Sequence, residues 1–150
     1  MLSSLSVAGR IAMAPLPNIQ PATFIIIMST LCLGTSKGVL VAIVSTLASN
    51  LVLGHGPWTM FQLMGWVTVA VVTGRIRNTR MSHVGMSVFA AIMGMVYGMV
   101  VSLNGLLYTN QIVLYYLAGL PYDISHAMGN LVIYLVCAPP LRRVFERYAM

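Results

Sequence analysis

Long apolar runs with almost no charge constrain this chain more than any other feature of its sequence. They lie at residues 22–34, 39–53, 58–74, 84–103 and 122–141 and consist mainly of Leu, Ile, Val, Met and Gly. A helix needs about 20 apolar residues to cross the roughly 30 Å hydrocarbon core of a bilayer, so these runs predict transmembrane helices. With a mean hydropathy of +0.89 and only 2 acidic residues among 150, the composition excludes an ordinary soluble globule.

Residues 1–13 add a further predicted helix, and they lack the basic stretch and cleavage site of a removed signal peptide. The sequence therefore predicts an all-α integral membrane protein, a compact bundle of six transmembrane helices in a single membrane domain of residues 1–150. A five-helix alternative would fuse residues 22–53 and place Lys37 near mid-membrane, but the Gly-Thr-Ser-Lys-Gly break favours two helices. We expect helices at approximately 1–13, 22–34, 37–53, 57–74, 83–104 and 121–146, with a long outer connector at 104–121.

The basic residues mark one face of this predicted bundle. Seven of the 8 lie at one end: Lys37 between the second and third helices, Arg75, Arg77 and Arg80 after the fourth, and Arg142, Arg143 and Arg147 after the sixth. Because Lys and Arg concentrate in cytoplasmic loops, the pattern predicts cytoplasmic N- and C-termini in a multi-pass plasma-membrane protein. It also accounts for the net charge of +6 without a nucleic-acid partner. Arg10 alone lies toward the outer side.

Other chemistry-bearing signals are weak. Cys32 and Cys137 lie in apolar sequence without CxxC spacing, so we expect buried thiols and neither a metal site nor a disulfide. The chain carries no Walker motif, and nothing in it indicates a cofactor. Asp123 and His126 are a carboxylate and an imidazole, the residue types of a proton-relay pair, but no nucleophile of suitable spacing accompanies them. We therefore expect no catalytic residues and no enzyme activity.

Polar side chains collect at the outer end of the predicted bundle in three clusters. The first lies in the proline-rich segment GRIAMAPLPNIQP at 9–21, the second at 48–66, and the third at 120–130. Polar groups within a bilayer are costly unless they are partnered, which makes them candidate functional residues. Together with Tyr108 at the same level, the candidates for substrate binding are Arg10, Asn18, Gln20, Asn50, His55, Trp58, Gln62, Trp66, Asp123, His126 and Asn130.

Structural interpretations of some of these residues stay open. Asp123 follows Pro121 at a predicted helix start, where a carboxylate complements the helix dipole. Arg10 could anchor a helix end or pair with Asp123. Trp58, Gln62 and Trp66 are spaced i, i+4, i+8 and are expected on one stripe, which favours a cavity wall for a planar ligand.

Small residues mark two predicted close-packing strips. Ala90, Gly94, Gly98 and Ser102 recur every four residues on the fifth helix and predict an internal packing face. Ser4, Ala8 and Ala12 form a similar strip on the first helix. Because that helix is terminal, its strip could dock a partner subunit or pack within the chain.

The chain resembles a known transporter family in several of these segments. GRIAMAPLPNIQPATFIII, the GTSKG break, SNLVLGHGPWTMFQLMGW and PYDISHAMGN are similar to substrate-binding S components of energy-coupling-factor (ECF) vitamin transporters. The group assigned to cobalamin or to queuosine precursors is the most similar. The likeness runs over nearly the whole chain.

The resemblance implies a subunit that captures a micronutrient from outside and docks on a transmembrane coupling protein with two cytoplasmic ATPases. It implies a pocket at the outer end, with 9–21 as an extended cap, and a docking strip at Ala8 and Ala12 that extends to Ser4. We expect high-affinity capture of cobalamin or a related corrinoid, with a queuosine precursor or another small vitamin as the alternative. An intramembrane enzyme and a self-contained channel are alternative functions of a different class.

Overall fold

The computed structural model describes residues 1–148, which form a bundle of six α-helices and one short 3₁₀ helix. Four helices, α3 to α6, are long and apolar enough to cross a membrane. The bundle confirms the predicted all-α membrane fold. The helices are α1 (Leu2–Ala12), α2 (Ala22–Leu33), α3 (Thr35–Leu53), α4 (Trp58–Ile76), α5 (His83–Ser102) and α6 (Ile112–Tyr148), with the 3₁₀ helix at Leu103–Leu107.

The short helix α2 is the centre of the bundle. It contacts all five other α-helices, and every residue from Ala22 to Thr30 is buried. Its 12 residues span roughly 18 Å, less than the hydrocarbon core of a bilayer. A helix that is apolar on all sides belongs inside protein, and the neighbouring helices shield α2 from lipid. Its shortness therefore exposes little backbone to the membrane.

The chain breaks between α2 and α3 at Gly34. This residue has a φ of +98°, a conformation that glycine adopts without steric cost, and α3 begins at the next residue. The five-helix alternative is therefore wrong. Lys37 lies exposed in the first turn of α3.

The last helix differs most from expectation, since it begins at Ile112 and not near residue 121. The prediction that Pro121 opens the helix is wrong, because Pro121, Pro139 and Pro140 all lie inside α6. Helices within bundles tolerate interior prolines where neighbouring groups satisfy the freed carbonyls. The long outer connector is reduced to the 3₁₀ helix and a short turn.

His83 provides such a compensating bond at the inner end of α6. Pro139 has no N–H, so it cannot donate to the carbonyl of Leu135 four residues earlier. His83 Nε2, at the start of α5, donates to that carbonyl at 3.0 Å. The imidazole replaces the missing helical hydrogen bond and ties α5 to α6.

The predicted small-residue strip on α5 is an internal packing face against α6. A Cβ atom added to Gly94 would lie 3.0 Å from the Cα of Ala127, and one added to Gly98 would meet the carboxylate of Asp123. Ala90 on the same strip is fully buried. The two helices can approach this closely because the strip carries no bulky side chain.

We predict that Gly94→Ala destabilises the protein, because the new methyl group meets backbone atoms of α6 that cannot move independently. Overpacking of this kind costs typically about 1–3 kcal/mol. Gly119→Ala is the matched control, since the nearest atom to its Cβ is the Ser102 hydroxyl at 3.9 Å. Thermal unfolding in detergent should show a lower melting temperature for Gly94→Ala only. Equal melting temperatures for the two variants would contradict the close packing.

Candidate functional site

Arg10 lies at the centre of a polar network in the outer half of the bundle. Although it carries a charge, only 4% of its surface is exposed. Its Nε donates to Gln20 Oε1 at 3.0 Å, and its Nη1 donates to Ser49 Oγ and, at 3.3 Å, to Asn50 Oδ1. All three partners are neutral, so these bonds satisfy Nε and Nη1 without cancelling the charge. The interhelical partners of Arg10 are on α3, and Asp123 is not among its hydrogen-bond acceptors.

The network continues from α3 to α4. The amide nitrogen of Asn50 donates to Thr59 Oγ1 at 3.0 Å and to Gln62 Oε1 at 2.8 Å. One asparagine therefore accepts from the cation through its oxygen and holds α4 through its nitrogen. This orients the half-buried Gln62 toward the bundle interior.

An aromatic column lies beneath the guanidinium. Arg10 Cζ is 4.6 Å from the centroid of the Trp66 ring, and Trp66 stacks on Tyr97 with centroids 4.4 Å apart and planes inclined by 23°. Tyr97 in turn contacts His126, with centroids 5.2 Å apart. A desolvated cation over an indole face gains about 2 kcal/mol or more. The column therefore offsets part of the cost of burying Arg10.

A chain of hydrogen bonds runs from Trp66 to the segment before α2. Trp66 Nε1 donates to Thr23 Oγ1 at 3.0 Å, and Thr23 Oγ1 lies 2.9 Å from His126 Nε2. His126 Nδ1 lies 2.8 Å from the carbonyl oxygen of Asn18. A carbonyl can only accept, so Nδ1 carries the hydrogen, and Nε2 of the neutral ring accepts from the Thr23 hydroxyl.

Residues 13–21 form a cap that is fixed at Asn18. The backbone of Asn18 has a φ of +56°, which asparagine tolerates better than most residues, and its Nδ2 donates to the carbonyl of Tyr122 at 3.0 Å. The segment is a series of turns, with Leu16 N bonded to the carbonyl of Met13, so the expectation of an extended cap is wrong. Three prolines and the two contacts of Asn18 with α6 hold it over the network.

A cavity of about 200 Å³ lies between this cap, the end of α1 and the end of α3. Arg10 forms part of its wall, and the three hydrogen bonds of the guanidinium leave Nη2 unused. The cavity thus presents a cationic donor and amide groups to a guest molecule. Its lining consists of Arg10, Met13, Ala14, Leu16, Asn18, Ile19, Gln20 and Leu53.

Two buried acceptors on α6 have no hydrogen-bond partner among the residues that the structure describes. Asp123 Oδ2 lacks one although only 6% of the residue is exposed, and Asn130 Oδ1 lacks one although its amide nitrogen donates to the carbonyl of His126 at 2.9 Å. Asp123 lies in the interior of α6, so its interpretation as a helix-start residue is wrong. Unsatisfied buried acceptors are costly, and a bound group with N–H or O–H donors would satisfy them.

The structure brings most of the predicted site residues together. Arg10, Asn18, Gln20, Asn50, Gln62, Trp66 and His126 belong to the connected network, and Asp123 and Asn130 are buried beside it. His55, Trp58 and Tyr108 lie exposed at the outer surface. Trp58 does not share the face of Trp66, because eight residues of α-helix rotate a side chain by about 80° from exact alignment.

Four network residues were not predicted from the sequence: Thr23, Ser49, Thr59 and Tyr97. Three are hydroxyl residues in apolar helices, where the ordinary expectation is a bond back to the helix's own carbonyls. Ser49 makes such a bond to Ser45 at 2.6 Å as well. Their positions in the sequence could have identified two of them, since Ser49 adjoins Asn50 and Thr23 follows the cap closely.

The geometry defines a class of protein. It is an integral membrane protein whose helices surround a polar centre that is fixed by hydrogen bonds and adjoins a small cavity at the cap. Within residues 1–148 no group of three His, Cys, Asp or Glu side chains is placed to hold a metal ion. Such an arrangement suits recognition of a small molecule.

Comparison with known families identifies the chain further. The family model for the ECF-type riboflavin transporter, S component, matches residues 3–143. The chain belongs to this family, and it is a substrate-capture subunit of an ECF-type importer and not an enzyme. S components are multi-pass plasma-membrane proteins that work with a transmembrane coupling protein and ATPases on a small-molecule vitamin. No curated protein and no solved structure shows significant similarity to it.

We predict that Thr23→Val destabilises the protein, because it leaves Trp66 Nε1 and His126 Nε2 without their shared partner. Each buried group left unsatisfied costs about 1–3 kcal/mol. Thr68→Val is the matched control, since Thr68 Oγ1 bonds only to the carbonyl of Met64 in its own helix. Chemical or thermal unfolding should separate the two variants. A Thr23→Val protein as stable as Thr68→Val would show that the chain of bonds contributes nothing.

Proposed function

We propose that this chain captures a small, planar heteroaromatic vitamin at its outer face, with riboflavin as the first candidate. The observation that carries the proposal is the buried Arg10 guanidinium, whose hydrogen-bond partners within the described part of the chain are all neutral and which stacks on the Trp66–Tyr97 column. A heteroaromatic ring bearing carbonyl and imino groups would accept from the cation and exchange hydrogen bonds with amide side chains. The description of the matching family supports riboflavin within this class.

Size supports a flavin over a corrinoid, the substrate favoured by the sequence resemblance. The cavity beside the cap is about 200 Å³, below the roughly 300 Å³ at which typical ligand pockets begin. A planar ring could enter with a modest displacement of the cap. Cobalamin, which is much larger, would lie mostly outside the bundle and remains the second candidate. A queuosine precursor also belongs to the class of small, planar heteroaromatic compounds with polar edges.

The proposed binding residues are those of the network together with the two unsatisfied acceptors on α6. Arg10, Gln20, Asn50 and Gln62 would recognise acceptors and donors on the ring edge. Asp123 and Asn130 would accept from ligand N–H or O–H groups, since each has an unpartnered oxygen. Asn18 and His126 would hold the cap in place.

Titration calorimetry of the detergent-purified protein with riboflavin and, separately, with cobalamin tests this proposal. We expect saturable one-to-one binding of riboflavin. Gln62→Ala should weaken it about tenfold, because the substitution removes both a hydrogen-bonding group and the orientation of Asn50. Gln111→Ala is the control, since Gln111 is exposed on the outer side.

Three results would contradict the proposal. Binding of cobalamin without binding of riboflavin would assign the site to a corrinoid. Absence of heat with both compounds, in a sample whose cooperative unfolding proves that it is folded, would remove both candidates. Equal affinities of the Gln62→Ala and Gln111→Ala proteins would place the ligand outside the network.

We further propose that the strip on α1 docks the coupling protein. Ser4, Ala8 and Ala12 are all exposed and lie on one face of a helix whose opposite face buries Ser6 and Arg10. Small residues let another helix approach its backbone closely. The sequence alone is compatible with partner docking and with packing within the chain, and the exposure of the strip supports docking.

Ala8→Leu should therefore reduce co-purification with the coupling protein and its ATPases while vitamin binding is retained. Ala118→Leu is the control, because it makes the same change at an exposed position of α6. Co-expression followed by affinity capture measures the assembly. Unchanged assembly of the Ala8→Leu protein would rule out this face.

A further inference from the structure

A basic cavity lies at the cytoplasmic end of the bundle, opposite the polar network. Its larger part, about 290 Å³, is bounded by the end of α2, the start of α5 and the last turns of α6. An adjoining part of about 140 Å³ reaches the link between α4 and α5. The two parts share Leu31, His83, Tyr134 and Arg142. We call them together the inner basic cavity.

Arginines dominate the charge of this cavity. Arg142 and Arg143 line the larger part and Arg77 the smaller, with Glu146 as the acidic residue in the lining. Three positive charges minus one negative charge leave +2. The side chain of Arg77 is fixed, since its Nε donates to the carbonyl of Leu31 at 2.9 Å. Among residues 1–148, the hydrogen bonds of the structure leave the guanidinium groups of Arg142 and Arg143 available.

The wall of the cavity changes from charged to apolar with depth. Met28, Leu31 and Ala138 contribute apolar surface, while the arginines lie toward the cytoplasmic end of the helices. A guest that fits this gradient has an anionic head and an apolar body. The position, at the inner end of membrane helices, is the level of lipid headgroups.

We propose that the inner basic cavity binds a phosphate group, supplied by an anionic phospholipid of the cytoplasmic leaflet. Guanidinium groups pair with phosphate oxygens through two parallel hydrogen bonds, which gives geometric selectivity as well as affinity. Basic pockets between helices on the cytoplasmic side are suited to anionic headgroups. The apolar wall accounts for a lipid in preference to a soluble phosphate. The site is independent of the vitamin and of its capture.

Native mass spectrometry of the full chain, released from mixed micelles of phosphatidylglycerol and phosphatidylcholine, tests the proposal. We expect selective retention of phosphatidylglycerol. The double variant Arg142→Gln, Arg143→Gln should lower that retention about tenfold or more. The matched control is Arg75→Gln, Arg80→Gln, which removes the same charge on the same face outside the cavity.

A third variant tests whether removal of a negative charge has the opposite effect on lipid retention. Glu146→Gln removes the carboxylate from the lining and should raise retention of phosphatidylglycerol. This variant keeps the proposal testable if the double arginine variant fails to fold, which thermal unfolding would reveal. Reduced or unchanged retention in a folded Glu146→Gln protein would count against the cavity.

Three further outcomes would overturn the proposal. Equal loss in both double variants would show a diffuse attraction of basic residues to the leaflet. Displacement of the lipid by millimolar inorganic phosphate would assign the site to a soluble anion. Full lipid retention in Arg142→Gln, Arg143→Gln, combined with lost assembly with the coupling protein, would make the cavity a protein-docking surface.

Discussion

The buried charge of Arg10 is the constraint on which the outer half of this molecule depends. A charged side chain that is buried away from water costs several kcal/mol unless it is compensated, so the chain must supply partners for this guanidinium. It does so from three places at once: the cap through Gln20, α3 through Ser49 and Asn50, and α4 through the face of Trp66. Satisfying one side chain thus sets the relative positions of elements that are far apart in sequence.

The central position of α2 is fixed by a second set of hydrogen bonds. Thr23 links the ring of Trp66 to the ring of His126, so α2 must lie between α4 and α6. A helix this short could not remain in contact with lipid at both ends, but it can be enclosed by longer neighbours.

The inner half of the bundle is organised differently. There His83 and Arg77 satisfy carbonyls of α6 and α2, and the positive charges lie at the end that the charge asymmetry of the sequence predicts to be cytoplasmic.

Much of the fold could be predicted because hydropathy and charge asymmetry act on whole segments. The break at Gly34 was predictable as well, since fusing α2 and α3 would have buried Lys37. The start of α6 was not, because a proline at residue 121 is compatible both with a first turn and with a helix interior. Only tertiary contacts decide between them. In the site, Arg10, Asn50 and Gln62 were identifiable because they are polar groups in apolar sequence. Thr23 and Ser49 were not, because other Ser and Thr residues in the apolar helices bond only to carbonyls of their own helix, and the sequence does not distinguish the two kinds.

The two tryptophans of the chain occupy contrasting surroundings. Trp66 is fully buried between a guanidinium and a phenol, with its indole nitrogen bonded to Thr23, whereas Trp58 is 39% exposed near the outer surface. The protein thus contains two intrinsic fluorophores with different emission. The emission of Trp66 would respond to events at the polar centre, and that of Trp58 would respond to the depth of the helix end in the interface. Events at the polar centre and changes in the membrane depth of the helix end could therefore be followed separately in the same unlabelled molecule.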